Sequence, residues 1–178
     1  MARLPDPVPT LSGDDREIYE RMLAARQRHG VGLYGPYVPL LHHPHLAELI
    51  ERLGSYLKFD GTLPRDLYQF VVLAFAHRVG AEFEWRDHVE HARQAGVPEA
   101  AIDALQAGGT LPEPYGTLLE VVTATIGHQD LPEDVQDRLV ADVGTTGLIE
   151  VVVLCGFYDL IAMVNTAFDV PLTDAGQH

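Results

Sequence analysis

The stretch "EFEWRDHVEHA", residues 82–92, holds three side chains of the kinds that move protons or bind metals: Glu84, His88 and His91. On a helix they fall at i, i+4 and i+7 and share one stripe, with Trp85, the chain's single tryptophan, beside them. Glu84 and His88, one turn apart, can share a proton or hold each other's orientation, which is the equipment of acid–base chemistry. Packed against an apolar helix, the carboxyl would be desolvated and the imidazole held toward neutrality unless Glu84 stays ionised. The alternative is a solvated polar helix face, since Arg86, Asp87, Glu90 and Arg93 surround the pair. A metal is the third reading. A trio spanning two turns of a straight helix converges poorly on one ion, and neither H-E-x-x-H nor the pair of E-x-x-H motifs of a di-iron bundle is present, so no metal is expected.

Other candidates carry less. His42, His43 and His45 in "LLHHPHL" form a histidine cluster, but in a loop leading to a helix start at Pro44, with two of the three expected to face solvent. Lys58, the only lysine, follows a helix end and is a poor Schiff-base candidate. Cys155 lies in the apolar run "LIEVVVLCGFYDLIAMV", where a free cysteine is ordinarily a small core residue. There is no G-x-G-x-x-G, Walker A or CxxC.

Helices must position these groups. Pro and Gly clusters separate helix-length segments: "LSGDDREIYERMLAARQRHG", "PHLAELIERLGSYLKF", "RDLYQFVVLAFAHRVG", "AEFEWRDHVEHARQAG", "VPEAAIDALQAGG", "LPEPYGTLLEVVTATIGHQD", "LPEDVQDRLVADVG" and "TTGLIEVVVLCGFYDLIAMVNTAF". The segment "GLYGPYVPLLHHP" reads as a loop. Val71 to Ala76 is apolar all round, as in a helix buried on most sides. The runs Val71-Val72 and Val151-Val152-Val153 sit inside segments too long for strands. The expected fold is all-α, a single helical domain over 1–178 of seven or eight helices, with a flexible N-terminal arm at about 1–11.

Composition bounds the function. A hydrophobic fraction of 47% in 178 residues fits a folded domain. Net charge is −14 with only 12 Lys and Arg, so nucleic acid is not an expected partner. "MARLPDPVPTLSGDD" has no signal-peptide core, and no stretch reaches about 18 apolar residues without a charge, so no membrane span and a cytoplasmic location are expected.

"LPRDLYQFVVLAFAHRVGAEFEWRDHVEHARQAGVPEAAIDAL", residues 63–105, resembles the carboxymuconolactone decarboxylase family, whose superfamily includes the alkylhydroperoxidase D group. The matching positions are Leu63, Pro64, Gly80, Ala81, Glu82, Glu84, Trp85, His88, Ala92, Ala95 and Gly96; "GPYVPLLHHPHLAE" and "MVNTAFDVPL" also look like the family's flanks. The chain departs from the pattern in three places. The peroxidase branch's CxxC pair falls at Ala81 and Glu84, so dithiol peroxidase chemistry is not expected. The family's first-helix glutamate aligns with Gln69, which cannot titrate. The associated arginine aligns with Arg65 or Asp66.

The resemblance implies an alkylhydroperoxidase D-like helical subunit assembling into trimers or hexamers, with a small-molecule substrate and no cofactor. The expected activity is decarboxylation or proton-transfer isomerisation of a small lactone or carbonyl carboxylic acid. His88 would shuttle the proton and Glu84 would orient it or set its pKa. Gln69 would donate to a developing oxyanion, Arg65 would bind an anion, and Trp85 and Tyr37 would wall the pocket. His77 and His128 are secondary candidates. The competing expectation is a non-catalytic helical oligomer that binds a small ligand or a protein.

Overall fold

The computed structural model describes residues 4–171. The described chain is all-α: eight helices, one 3-10 turn at Val8–Thr10 and one π-helical turn at Tyr56–Asp60, with no strand among the described residues. Of the N-terminal arm expected at 1–11, residues 1–3 lie outside the described residues. Contacts divide the chain into two compact units, Met1–Asp60 with Ile161–His178, and Gly61–Leu160.

In the first unit, α1 (Gly13–Gln27) starts after an extended Ser12 and carries Asp14 and Asp15 in its first turn, where acidic groups complement the helix dipole. Ile18, Met22 and Arg26, spaced by four, form its buried stripe, and it packs on α3 (Pro44–Ser55). Nδ1 of His43 accepts from the Leu46 amide to cap α3. Ala47, Ile50, Glu51 and Gly54 make the buried face of α3, while Leu46, Leu49 and Leu53 stand exposed. The segment expected to be a loop contains a single helical turn, α2 (Tyr37–Leu40). Its Pro36 N-cap and Pro39 masked the turn in the sequence, because proline reads as a breaker although it is tolerated in a first helical turn.

The second unit is built on α4 (Arg65–Val79), which buries ten consecutive residues, Leu67 to Ala76. It is packed by α5 (Glu82–Ala95), α6 (Glu99–Ala107) and α7 (Tyr115–Ile126). Gly80 ends α4 at φ 70°, a left-handed conformation that a Cβ disfavours, and returns the chain as α5. Gln69 lies roughly three turns before that corner and His88 roughly two turns after it, so the hairpin sets them side by side.

The last helix, α8 (Glu133–Ala167), is broken at Gly144 (φ 71°, ψ 170°), the boundary at which the sequence separates two segments. The buried Glu150 carboxylate of α8 accepts from the Thr62 amide, at 2.8 and 2.9 Å, and from the Leu63 amide at 3.1 Å, fixing the turn that opens α4. By length and composition α8 could cross a membrane, but half of its apolar window is buried within the protein, as in a core helix.

Candidate functional site

Glu84 and His88 are 3% and 5% exposed, so the solvated-face alternative gives way: Arg86, Glu90 and Arg93 turn outward, while this pair turns in and Asp87 is half-buried beside it. What meets His88 comes from three helices. Its Nδ1 lies 2.8 Å from Oε1 of Gln69 on α4, a residue 1% exposed. Its Nε2 lies 3.1 Å from the Tyr158 hydroxyl on α8, and the two rings meet edge-on at 5.2 Å. The Tyr158 hydroxyl is in turn 2.9 Å from the Tyr68 hydroxyl, also buried. A continuous buried line runs Gln69–His88–Tyr158–Tyr68.

The partners fix proton positions. An amide carbonyl can only accept, so Nδ1 of His88 carries the hydrogen. In the neutral ring Nε2 then presents its lone pair and accepts from the Tyr158 hydroxyl. The Tyr158 oxygen keeps lone-pair capacity for the Tyr68 O–H. Asp87 adds a carboxylate with Oδ2 3.6 Å from Nε2. The Arg65 guanidinium, exposed, lies over the Tyr68 ring at 5.4 Å from its centre. On α8, Cys155 sits one turn before Tyr158, 2% exposed, and burial pushes its thiol from an ordinary 9.0 up to about 12. It is a protonated core thiol, as the apolar run predicts.

The remaining sequence candidates have surroundings of their own. Trp85 is half-buried and its ring is tilted against His77 at 6.1 Å; His77 is exposed. His91, read as having no part in the motif, is half-buried with its ring 6.0 Å from that of His88. His128 is exposed past the end of α7, and His42, His43 and His45 are all exposed. Tyr37 belongs to the first unit, where its hydroxyl accepts from Nη1 of Arg26 at 3.2 Å. Among the described residues no group of three or more His, Cys, Asp and Glu is placed to hold a metal.

Tyr68 and Tyr158 escaped the sequence reading. The available signal was their setting: each lies in a helical segment rich in apolar residues, and a buried tyrosine hydroxyl needs a polar partner. The spacing motif spans 82–92, whereas Tyr158 is 70 residues beyond His88, a pairing that no local period reveals.

Residues 44–125, running from α3 to α7, match the model of the Carboxymuconolactone decarboxylase family. The match includes Gln69, Glu84 and His88 and stops short of Tyr158. No curated protein matches the chain in sequence. The fold is similar to the crystal structure of an alkylhydroperoxidase AhpD core, an uncharacterized peroxidase-related protein from Ralstonia eutropha JMP134. The TM-score is 0.76 at 16% identity, covering 96% of this chain and 91% of that one. At that identity the likeness is one of fold alone, and it is the fold that the sequence resemblance implies.

Proposed function

We propose, from the match of residues 44–125 to the carboxymuconolactone decarboxylase family, that the chain is a member of that family and an acid–base enzyme centred on His88. The supporting observation is the buried imidazole with a different polar partner on each nitrogen: Gln69 at Nδ1 and Tyr158 at Nε2. A ring held this way has one basic nitrogen, aimed at a hydroxyl that can relay protons.

The substrate class is a small lactone or carbonyl carboxylic acid. In isomerisation, the Tyr158 oxygen takes a proton from the carbon beside the carbonyl while its own proton passes to Nε2. Reversal delivers the proton to another carbon of the enolate, with no net proton consumed. In decarboxylation, the C–C bond electrons stay on the enolate as CO₂ leaves. The relay then protonates carbon, and solvent restores the proton. The proton that reaches carbon is the Tyr158 hydroxyl proton, so only in the isomerisation does His88 pass through an imidazolium, which the Asp87 carboxylate, 3.6 Å away, stabilises.

Gln69 is here a positioning residue, acting through His88 rather than on the oxyanion. Glu84, buried one turn before His88, supplies the second carboxyl on that face. Arg65 beside Tyr68 is the cation for the substrate carboxylate. The mechanism calls for no cofactor, and the reading places it in a cytoplasmic homo-oligomer. Dithiol peroxidase chemistry is not part of it: CxxC is absent and the Cys155 thiol is held protonated.

The test is a panel of small lactone and keto carboxylic acids incubated with the protein in D₂O, reading CO₂ release and deuterium uptake at carbon. Loss of a general acid–base group costs about 10²–10⁴-fold. A folded His88→Gln protein should lose turnover on that scale, and undiminished turnover sinks the proposal.

A further inference from the structure

Arg26, in the last turn of α1, is the only buried Lys or Arg among the described residues, at 6% exposed. The chain has 26 acidic residues, and a buried guanidinium ordinarily meets one of them. This one does not: no carboxylate among the described residues lies within ion-pairing distance of it. Its Nε donates to the Gly32 carbonyl at 2.6 Å and its Nη1 to the Tyr37 hydroxyl at 3.2 Å.

Neither partner supplies negative charge. Burial pushes the Tyr37 phenol up to about 12, against the pull of Arg26 and with help from Glu51, so Tyr37 is neutral at physiological pH. Glu51, buried on α3, accepts from the Ser55 hydroxyl instead.

What remains is the outer edge of the guanidinium. Nη2 makes no hydrogen bond among the described residues, and Nη1 carries a second N–H besides the one that meets Tyr37. Two aromatic faces flank it, with the Tyr37 ring centre 4.7 Å and the Tyr34 ring centre 6.0 Å from the guanidinium carbon. Gly32, without a side chain, closes the inner edge, and Gly30 and Gly35 at φ 74° and 58° turn the loop around it.

We infer that this loop and the last turn of α1 form a receptor for a small, flat, aromatic monocarboxylate, separate from the His88 site. The parallel N–H groups of the outer edge match the two oxygens of one carboxylate, and the tyrosine rings match an aromatic body. A single positive charge in a chain of net charge −14 favours a monoanion over doubly charged phosphate.

The probe is sodium benzoate, titrated calorimetrically into the full chain at pH 7, with inorganic phosphate at matched ionic strength as the second ligand. The expected result is saturable one-to-one benzoate binding with none for phosphate. His88→Gln should bind benzoate as the wild type does. Arg26→Lys, which keeps the charge and loses the fork, should bind about tenfold or more weakly. Absence of saturation, equal preference for phosphate, loss of binding in His88→Gln or undiminished binding in Arg26→Lys overturns the proposal. Should Arg26→Lys fail to fold, the Arg26 Nε resonance of the wild type decides. It should move on benzoate addition, and an unmoved resonance contradicts the site.

Discussion

With Oε1 of Gln69 2.8 Å from Nδ1, the His88 ring keeps its hydrogen on that nitrogen and offers Nε2 to Tyr158. Two substitutions separate holding the ring from charging it. Gln69→Leu strands a buried N–H and should cost about 1–3 kcal/mol of stability, read by urea unfolding. Gln69→Glu places a carboxylate there, favours the imidazolium and should raise the His88 pKa, moving the acid limb of the pH–activity profile upward. Cys155 makes a prediction of the opposite kind. Its thiol ionises at 9.0 ordinarily and at about 12 when folded, so its contribution to stability is complete below pH 9 and is lost as pH rises toward 12. Unfolding measured at pH 7 and at pH 10.5 should show that loss, and Cys155→Ala should flatten it. Of this site, the sequence carried Glu84 and His88 because one helix period relates them. It carried Gln69 only as a departure from a motif, and it left Tyr158 unmarked because its partnership is made across helices.

The elements were more legible than the site, because each is bounded by chemistry that acts locally. Gly80, Gly96 and Gly108 close α4, α5 and α6 at positive φ, and the ten buried residues of α4 follow from its unbroken apolar run. The exception, α2, is one turn long and too short for periodicity to register. Gly144 is the most constrained joint. At φ 71°, ψ 170° a Cβ is strained even though no atom lies within 4 Å of its place. Three residues on, a Cβ at Gly147 would stand 2.6 Å from the Val143 Cβ, so the break needs both glycines. Gly144→Ala should therefore lower stability by about 1–3 kcal/mol, seen as a fall in Tm, with helical content by circular dichroism kept.

At the scale of the whole molecule, α8 presents an exposed apolar stripe: Ile149, Val152, Val153, Leu160 and Met163 recur at helical spacing on one side. Composition predicted an apolar helix but could not divide it between core and surface, since both faces draw on the same residue types. We propose that this stripe joins copies of the chain. Ile149→Glu with Val153→Glu should then reduce the mass measured by light scattering to that of one chain, 19.6 kDa, whereas a wild type already of that mass would remove the oligomer from the account. The line of hydrogen bonds through His88 is also a property of assembled helices, since α4, α5 and α8 each supply a member. Nitrogen-15 NMR of the histidine ring tests it most directly and needs no substrate. Nδ1 of His88 should be protonated and Nε2 unprotonated at pH 7, with the Nε2 resonance moving in Tyr158→Phe. A proton resident on Nε2, or a ring averaging freely between tautomers, would contradict the relay.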